Sequence, residues 1–159
     1  MRYTRQEIFA EIGKKGQEKL RKSSVAIIGL GALGSVSAEL LARAGIGKLI
    51  LIDRDVVELS NLQRQSLYDE SDVGKPKALA AKEKLDKINS EVEIEFFIDD
   101  LNFENINELF SITKKSNNEK PIKKINKNKI NLILDCTDNL ETRFLINDFS
   151  IKNKIPFIY

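Results

Sequence analysis

Short β-branched apolar runs alternate along this chain with longer stretches whose apolar residues recur at helical spacing. Ser24-Val25-Ala26-Ile27-Ile28 reads as a strand ending on a glycine group, Gly29-Leu30-Gly31-Ala32-Leu33-Gly34. From Ser35 to Ala44, Val36, Leu40 and Leu41 with three alanines suit a helix packed closely on a sheet and closed by Gly45 and Gly47. Lys48 to Ile52 predicts a second buried strand, ending at Asp53. Pro76 suits a first helical turn, and Ala78, Leu79, Ala81, Leu85 and Ile88 carry that helix to about Asn89. Val92, Ile94 and Phe96 alternate with Glu91, Glu93 and Glu95, the pattern of a strand with one wet face. Phe103 to Phe110 is a weaker helix, Ile130 to Asp135 a fourth strand, Leu140 to about Lys152 a helix and Ile155 to Tyr159 a fifth strand. At the N-terminus Thr4 and Glu7 are spaced as a capping box, predicting a helix from Arg5 to about Ile12 that Gly13 and Gly16 interrupt. The fold class is therefore α/β: a Rossmann-like, doubly wound, mostly parallel sheet with helices on both faces, built as one domain over 1–159.

Composition narrows the chemistry. The 159 residues include no histidine, no tryptophan and a single cysteine, Cys136. Every imidazole mechanism is thereby excluded, as are an internal disulfide and a zinc site needing paired cysteines within this chain. No apolar run approaches the roughly 18 residues of a membrane span, and no signal-peptide core follows Met1, so a cytoplasmic protein with no membrane partner is expected. The formal charge of +2 is local in origin: the Lys/Asn-rich stretch from Lys114 to Lys129 holds seven lysines, four asparagines and one acid, and the remainder carries 19 basic and 23 acidic side chains. That stretch reads as a flexible, solvated insertion, and without interleaved aromatics it is no case for a nucleic-acid partner.

The glycine turn is the first chemical signal. Gly29 permits a sharp turn, Gly31 lets backbone approach a phosphate and Gly34 lets the next helix pack closely, so that the helix N-terminus offers free N–H groups to an anion. Asp53 follows Gly34 by 19 residues at the end of the next strand, where a carboxylate can accept from ribose hydroxyls. This much suits NAD or a flavin equally well. Asp55, Asn61, Arg64 and Lys77 stand near the same crevice, and the two cations and the amide suit a triphosphate; solvated loop and surface-helix positions are the bland reading of Arg64 and Lys77. At the carboxyl end of the fourth strand comes Asp135-Cys136-Thr137-Asp138-Asn139. Asp138 can hold magnesium or can equally cap the helix that begins near Leu140. Cys136 reads as a buried small residue rather than a nucleophile.

Arg2-Tyr3-Thr4-Arg5-Gln6, the glycine turn, Ser60-Asn61-Leu62-Gln63-Arg64-Gln65, Val73-Gly74-Lys75-Pro76-Lys77 and Asp135-Cys136-Thr137-Asp138-Asn139 occur together and in order. This set resembles the ThiF/MoeB/HesA family, relatives of the ubiquitin-activating enzymes, across nearly the whole chain outside the Lys/Asn stretch. The resemblance implies an ATP-dependent adenylyltransferase that activates the C-terminal glycine carboxylate of a ubiquitin-like sulfur-carrier protein ending in Gly-Gly and releases pyrophosphate. Carried over by position, Asp53 would bind ribose, and backbone at Gly31 and Ala32 would meet the nucleotide. Asn61, Arg64 and Lys77 would clamp phosphates, Asp138 would bind magnesium and Asn139 would lie beside it. Arg5 resembles an arginine that the family inserts into the neighbouring subunit's site, implying a homodimer; otherwise it is a surface arginine on a first helical turn, opposed by the helix dipole. Ala32 stands where many members have glycine, and the chain stops at Tyr159 where members continue, so it is expected to be truncated relative to the family. The competing expectations are an NAD-binding oxidoreductase domain, a nucleotide-binding or dimerisation fragment without catalysis, and a relative acting on a tRNA-linked carboxylate.

Overall fold

The computed structural model describes residues 2–110 and 130–159; the Lys/Asn stretch of Lys114 to Lys129 lies outside them. The expected alternation is present. Strands β1 (Ser24–Ile28), β2 (Lys48–Ile52), β3 (Glu93–Phe97), β4 (Leu132–Asp135) and β5 (Phe157–Ile158) form one sheet in the order β3-β2-β1-β4-β5. Every pairing is parallel. Helices α3 (Ala32–Ala44), α4 (Lys77–Ile88), α5 (Ile106–Phe110) and α6 (Leu140–Asn153) cover it, and α1 (Thr4–Glu7) and α2 (Gly13–Arg21) precede the first strand.

Side-chain alternation on the central strands divides the core in two. Val25, Ile27, Leu49 and Leu51 pack with the small residues Ala38 and Ala42 of α3 and Ala78 and Ala81 of α4. On the opposite face Ala26, Ile28, Ile50 and Ile52 pack with Ile106 and Leu109 of α5 and Ile146 of α6. All five residues of β1 and of β2 are buried, as strands covered on both sides must be. Because β1 lies between β2 and β4, the winding direction reverses there, and the carboxyl ends of β1 and β4 diverge into a crevice.

The glycine turn is shaped by contact. Gly29 has φ +84°, and a Cβ there would stand 2.8 Å from the Cys136 carbonyl oxygen. A Cβ on Gly34 would fall 1.9 Å from the Gly29 carbonyl oxygen, so only glycine lets α3 start against the β1 turn. Ala32 needs no such freedom. It is the first residue of α3, and Lys154 is the one non-glycine residue with positive φ among the described residues.

Three local expectations change. Thr4 is not an N-cap: Tyr3 holds that position and its carbonyl accepts from the Gln6 and Glu7 N–H groups. Tyr3 is buried, with its hydroxyl bonded to Glu91 and Asn89, and that anchor sets where the helix begins. Gly13 and Gly16 do not break a helix; α2 starts at Gly13 and runs through Gly16 to Arg21. Its buried Gln17 donates to the Ala44 carbonyl at 2.9 Å and accepts from Gln6 at 2.7 Å, tertiary bonds that outweigh the weak helical preference of glycine. The helix expected from Phe103 forms only over Ile106–Phe110, because Asn102 and Asn105 turn the chain first by exchanging side-chain-to-backbone bonds. On β3 the wet face carries an ion-pair cluster: the buried Lys48 ammonium lies 2.8 Å from Glu93 and 2.7 Å from Glu95. Burial alone would lower the Lys48 pKa, but the two carboxylates reverse this and raise it.

Gly34→Ala should cost about 1–3 kcal/mol of unfolding free energy, the range for overpacking a tight contact. Chemical denaturation measures it. A loss below about 0.5 kcal/mol, the size of a neutral surface change, would mean that the α3–β1 contact relaxes freely.

Candidate functional site

The carboxyl ends of β1 to β4 open into a cleft of about 810 Å³, within the range of small-molecule sites. Gly29, Gly31 and Ala32 line it from the β1 turn, Asp53 and Asp55 from the end of β2, and Asn61, Arg64 and Lys77 from the following segment. Asp138 and Asn139 line it from the β4 loop. Of the residues singled out in the sequence, Gly34 is packed behind the turn, and Arg5 is exposed on α1, away from the cleft residues.

Asp53 forms the floor. One carboxylate oxygen accepts from the Leu30 N–H at 2.6 Å and the other from the Asp55 N–H at 2.7 Å. Burial raises its pKa, and these two N–H groups and nearby Lys77 work against that rise. The carboxylate therefore ties the glycine turn to the end of β2, while carboxylate lone pairs beyond those two bonds remain to accept from a ligand hydroxyl. Tyr68 closes the turn from behind, its hydroxyl donating to the Leu30 carbonyl at 3.0 Å. Its phenol is held far above its ordinary pKa, first by burial and then by Asp53 and Asp72.

The cations differ in setting. Lys77 is buried at the start of α4, with its ammonium 3.0 Å from Asp55. Arg64 is exposed at the cleft edge and donates to the Ser60 carbonyl at 3.2 Å. Asn61 is already committed locally: its Oδ1 accepts from the Glu58 N–H at 3.1 Å, closing a capping box around the 3₁₀ turn Leu59–Asn61. At the N-terminus of α3, backbone N–H groups beyond Gly31 face the same space, and a Cβ on Gly31 would meet only the Gln65 amide nitrogen, at 3.8 Å. N–H groups and two cations around one void are groups that can hold an anion.

The β4 loop shows which residue caps α6. Asn139, not Asp138, is the N-cap of α6, accepting from the Glu141 N–H at 2.8 Å. Asp138 is exposed in the cleft, with no hydrogen bond or ion pair among the described residues. Arg143, which sequence reasoning passed over, holds this loop. Its Nε donates to the fully buried Asp135 carboxylate at 2.8 Å, an Nη donates to the Thr137 carbonyl at 3.0 Å, and the guanidinium lies 5.2 Å over the Tyr159 ring. The one available signal was its place one turn into α6, four residues beyond a helix cap. Cys136 is half-buried, and burial followed by the charge of Asp135 pushes its thiol up, so it is no thiolate nucleophile at neutral pH.

Known proteins share this fold and part of this sequence. The ThiF family profile matches residues 3–159. The chain belongs to the ThiF family. It is 47% identical over 160 residues to the sulfur carrier protein ThiS adenylyltransferase of Bacillus subtilis, covering 99% of this chain and 43% of that protein. It is 35% identical over 158 residues to the sulfur carrier protein adenylyltransferase of Thermus thermophilus, covering 99% of this chain and 52% of that one. The chain thus spans about half the length of these relatives. Among solved structures, the E. coli tRNA N6-threonylcarbamoyladenosine dehydratase TcdA in complex with ATP superposes with a TM-score of 0.79 at 26% identity, over 96% of this chain and 58% of that one.

Arg143→Met leaves the buried Asp135 carboxylate without its charged partner. A loss of about 1.5–3 kcal/mol is expected, the range for hydrogen bonds to charged groups. Urea unfolding monitored by circular dichroism measures it, and an unchanged midpoint would assign the ordering of the loop to the Asn139 cap alone.

Proposed function

We propose that this chain is the nucleotide-binding part of an ATP-dependent adenylyltransferase acting on a ubiquitin-like sulfur-carrier protein that ends in Gly-Gly. The observation that carries the reading is the composition of one cleft: backbone N–H groups at the start of α3, the cations Arg64 and Lys77, and the unpartnered carboxylate of Asp138. It is supported by relatives named as sulfur carrier protein adenylyltransferases and by a fold neighbour whose structure holds ATP. An NAD site, whose pyrophosphate is met by backbone, would give two cations and a free carboxylate no task.

In this reading a carboxylate oxygen of the carrier's terminal glycine attacks the α-phosphorus of ATP. The new C–O–P linkage forms as the bond from the α-phosphorus to the bridging oxygen breaks, and pyrophosphate leaves with that electron pair. No proton moves and no side chain need be a nucleophile, so a chain without histidine is equipped for the step. The protein's task is positioning and charge neutralisation. Asp53 accepts from the ribose and Asn61 flanks the phosphates. Arg64 and Lys77 neutralise phosphate oxygens, with Asp55 yielding part of its hold on Lys77. Asp138 offers the hard oxygen magnesium prefers, with Asn139 beside it; the ion would shield charge on the leaving pyrophosphate. Arg5, exposed and outside the cleft of its own chain, is the arginine a second copy would supply to complete the site of a homodimer. No helix among the described residues is long and apolar enough to cross a membrane, and we place the protein in the cytoplasm, where ATP is available.

Pyrophosphate exchange with ATP, magnesium and a Gly-Gly carrier tests the activity. Asp138→Ala and Arg64→Ala should each slow exchange at least about tenfold, or roughly 1.4 kcal/mol. ATP binding without exchange for any such carrier would instead identify a binding module.

Subunit complementation tests the role of Arg5. Mixing Arg5→Ala with Asp138→Ala protein should restore up to about a quarter of wild-type exchange, because random pairing makes about half the dimers mixed and each mixed dimer has both contributions intact at one of its two sites. No recovery on mixing would place Arg5 outside the partner's site.

A further inference from the structure

Gln65 stands apart from every other side chain around the cleft. It is only 3% exposed, yet its Oε1 is sealed from solvent with no hydrogen-bond partner. No hydrogen bond of its Nε2 is found among the described residues either. Its backbone is fully engaged, the N–H donating to the Asn61 carbonyl at 3.0 Å and the carbonyl accepting from the Tyr68 N–H at 3.2 Å. The main chain is therefore anchored on both sides, and packing encloses a carboxamide that makes no hydrogen bond among the described residues. A glutamine kept for structural reasons has both ends of its amide paired, because burying an unpaired polar group opposes folding. Other buried carboxamides show that rule at work: Asn61 closes a capping box and Asn89 donates to both Tyr3 and the Ala42 carbonyl.

The position of the amide points to what it is for. Gln65 lines the cleft, and its Nε2 is the nearest atom to the open space over Gly31, 3.8 Å from where a Cβ on that glycine would stand. That space lies at the N-terminus of α3, where the missing Cβ lets a ligand reach the backbone N–H groups. An anion seated there meets N–H groups from below and the Gln65 amide from the side.

We infer that Gln65 is a nucleotide-binding residue: its Nε2 donates to a phosphate oxygen held over Gly31, and that Nε2 has no protein partner because the ligand is its partner. This rests on the ATP reading of the cleft. Unlike Arg64 and Lys77, the amide adds a directional neutral donor, so it orients a phosphate without adding charge. Rotation about the soft terminal torsion of the side chain is enough to aim it.

The test separates binding from folding. Gln65→Met keeps the length and shape of the side chain and removes both polar ends, and Gln65→Glu keeps the shape but turns the donor into a carboxylate oxygen. Titrating the full chain calorimetrically with ATP, with adenosine as the phosphate-free probe, should show ATP affinity at least about fivefold weaker in the Met variant and at least about tenfold weaker in the Glu variant. Adenosine affinity should stay within about twofold, and the Met variant should melt at or above the wild-type temperature because a buried unpaired group is gone. The assignment is overturned if the Met variant binds ATP within about twofold of wild type, if adenosine weakens in parallel, or if that variant fails to fold or melts more than about 4 °C lower, the mark of a structural glutamine. Failure of the unaltered chain to bind ATP would overturn the nucleotide reading itself and this assignment with it.

Discussion

A single buried carboxylate holds the two sides of the cleft together. Asp53 spans from the glycine turn after β1 to the end of β2, accepting from the Leu30 N–H with one oxygen and the Asp55 N–H with the other. Turn residues such as Leu30 have no helical or ladder partner for their N–H groups, and a buried N–H left unpaired is costly. Asp53 supplies that partner where burial would otherwise favour its own protonation, so turn and carboxylate each make the other tolerable. Everything on the cleft floor takes its position from this exchange.

Around that floor the site is built from parts already used for folding. Lys77 anchors Asp55 at the start of α4, Asn61 closes its own turn, and Asn139 caps α6. Asp138 and the amide of Gln65 are the exceptions, the first exposed in the cleft and the second buried with its Oε1 unpaired, while exposed Arg64 commits one N–H to the Ser60 carbonyl and keeps its other donors. Polar groups that satisfy the protein can meet a ligand only by exchanging partners, whereas those left unsatisfied are free to bind it. Arg143 adds rigidity from behind. It fixes both the Asp135 side chain and the Thr137 carbonyl, so Asp138 projects from a loop pinned on either side of it.

The sheet and its order of elements were legible because buried parallel strands read as continuous β-branched runs, and the alanines of α3 and α4 announce close packing. The glycine turn, Asp53 and Asp138 were legible for a similar reason, since each stands just past a strand end, and Lys77 was legible from its place near the start of a helix. Two residues and the N-terminal helices were not. Gln65 lay within a recognised motif but gave no sign that its amide would be buried and unpaired. Arg143 stood among ordinary helical residues, and its partner Asp135 is eight positions away on a different element. The N-terminal helices were misjudged because Gly16 disfavours a helix locally, while the Gln17 bonds to Ala44 that support one come from 27 residues along the chain.

By itself the sequence determined the order of strands and helices, the glycines that permit the turn, and the charged groups that can reach a common crevice. These depend on periodicity and on offsets along the chain, which any stretch of residues carries locally. Only the tertiary structure decided which polar groups are spent on folding and which remain for a ligand: that Asn139 rather than Asp138 caps α6, that Arg5 lies outside its own cleft, and that Gln65 is buried without a partner. Whether a donor or acceptor is satisfied depends on what folding brings within about 3 Å of it, and those neighbours are mostly distant in sequence.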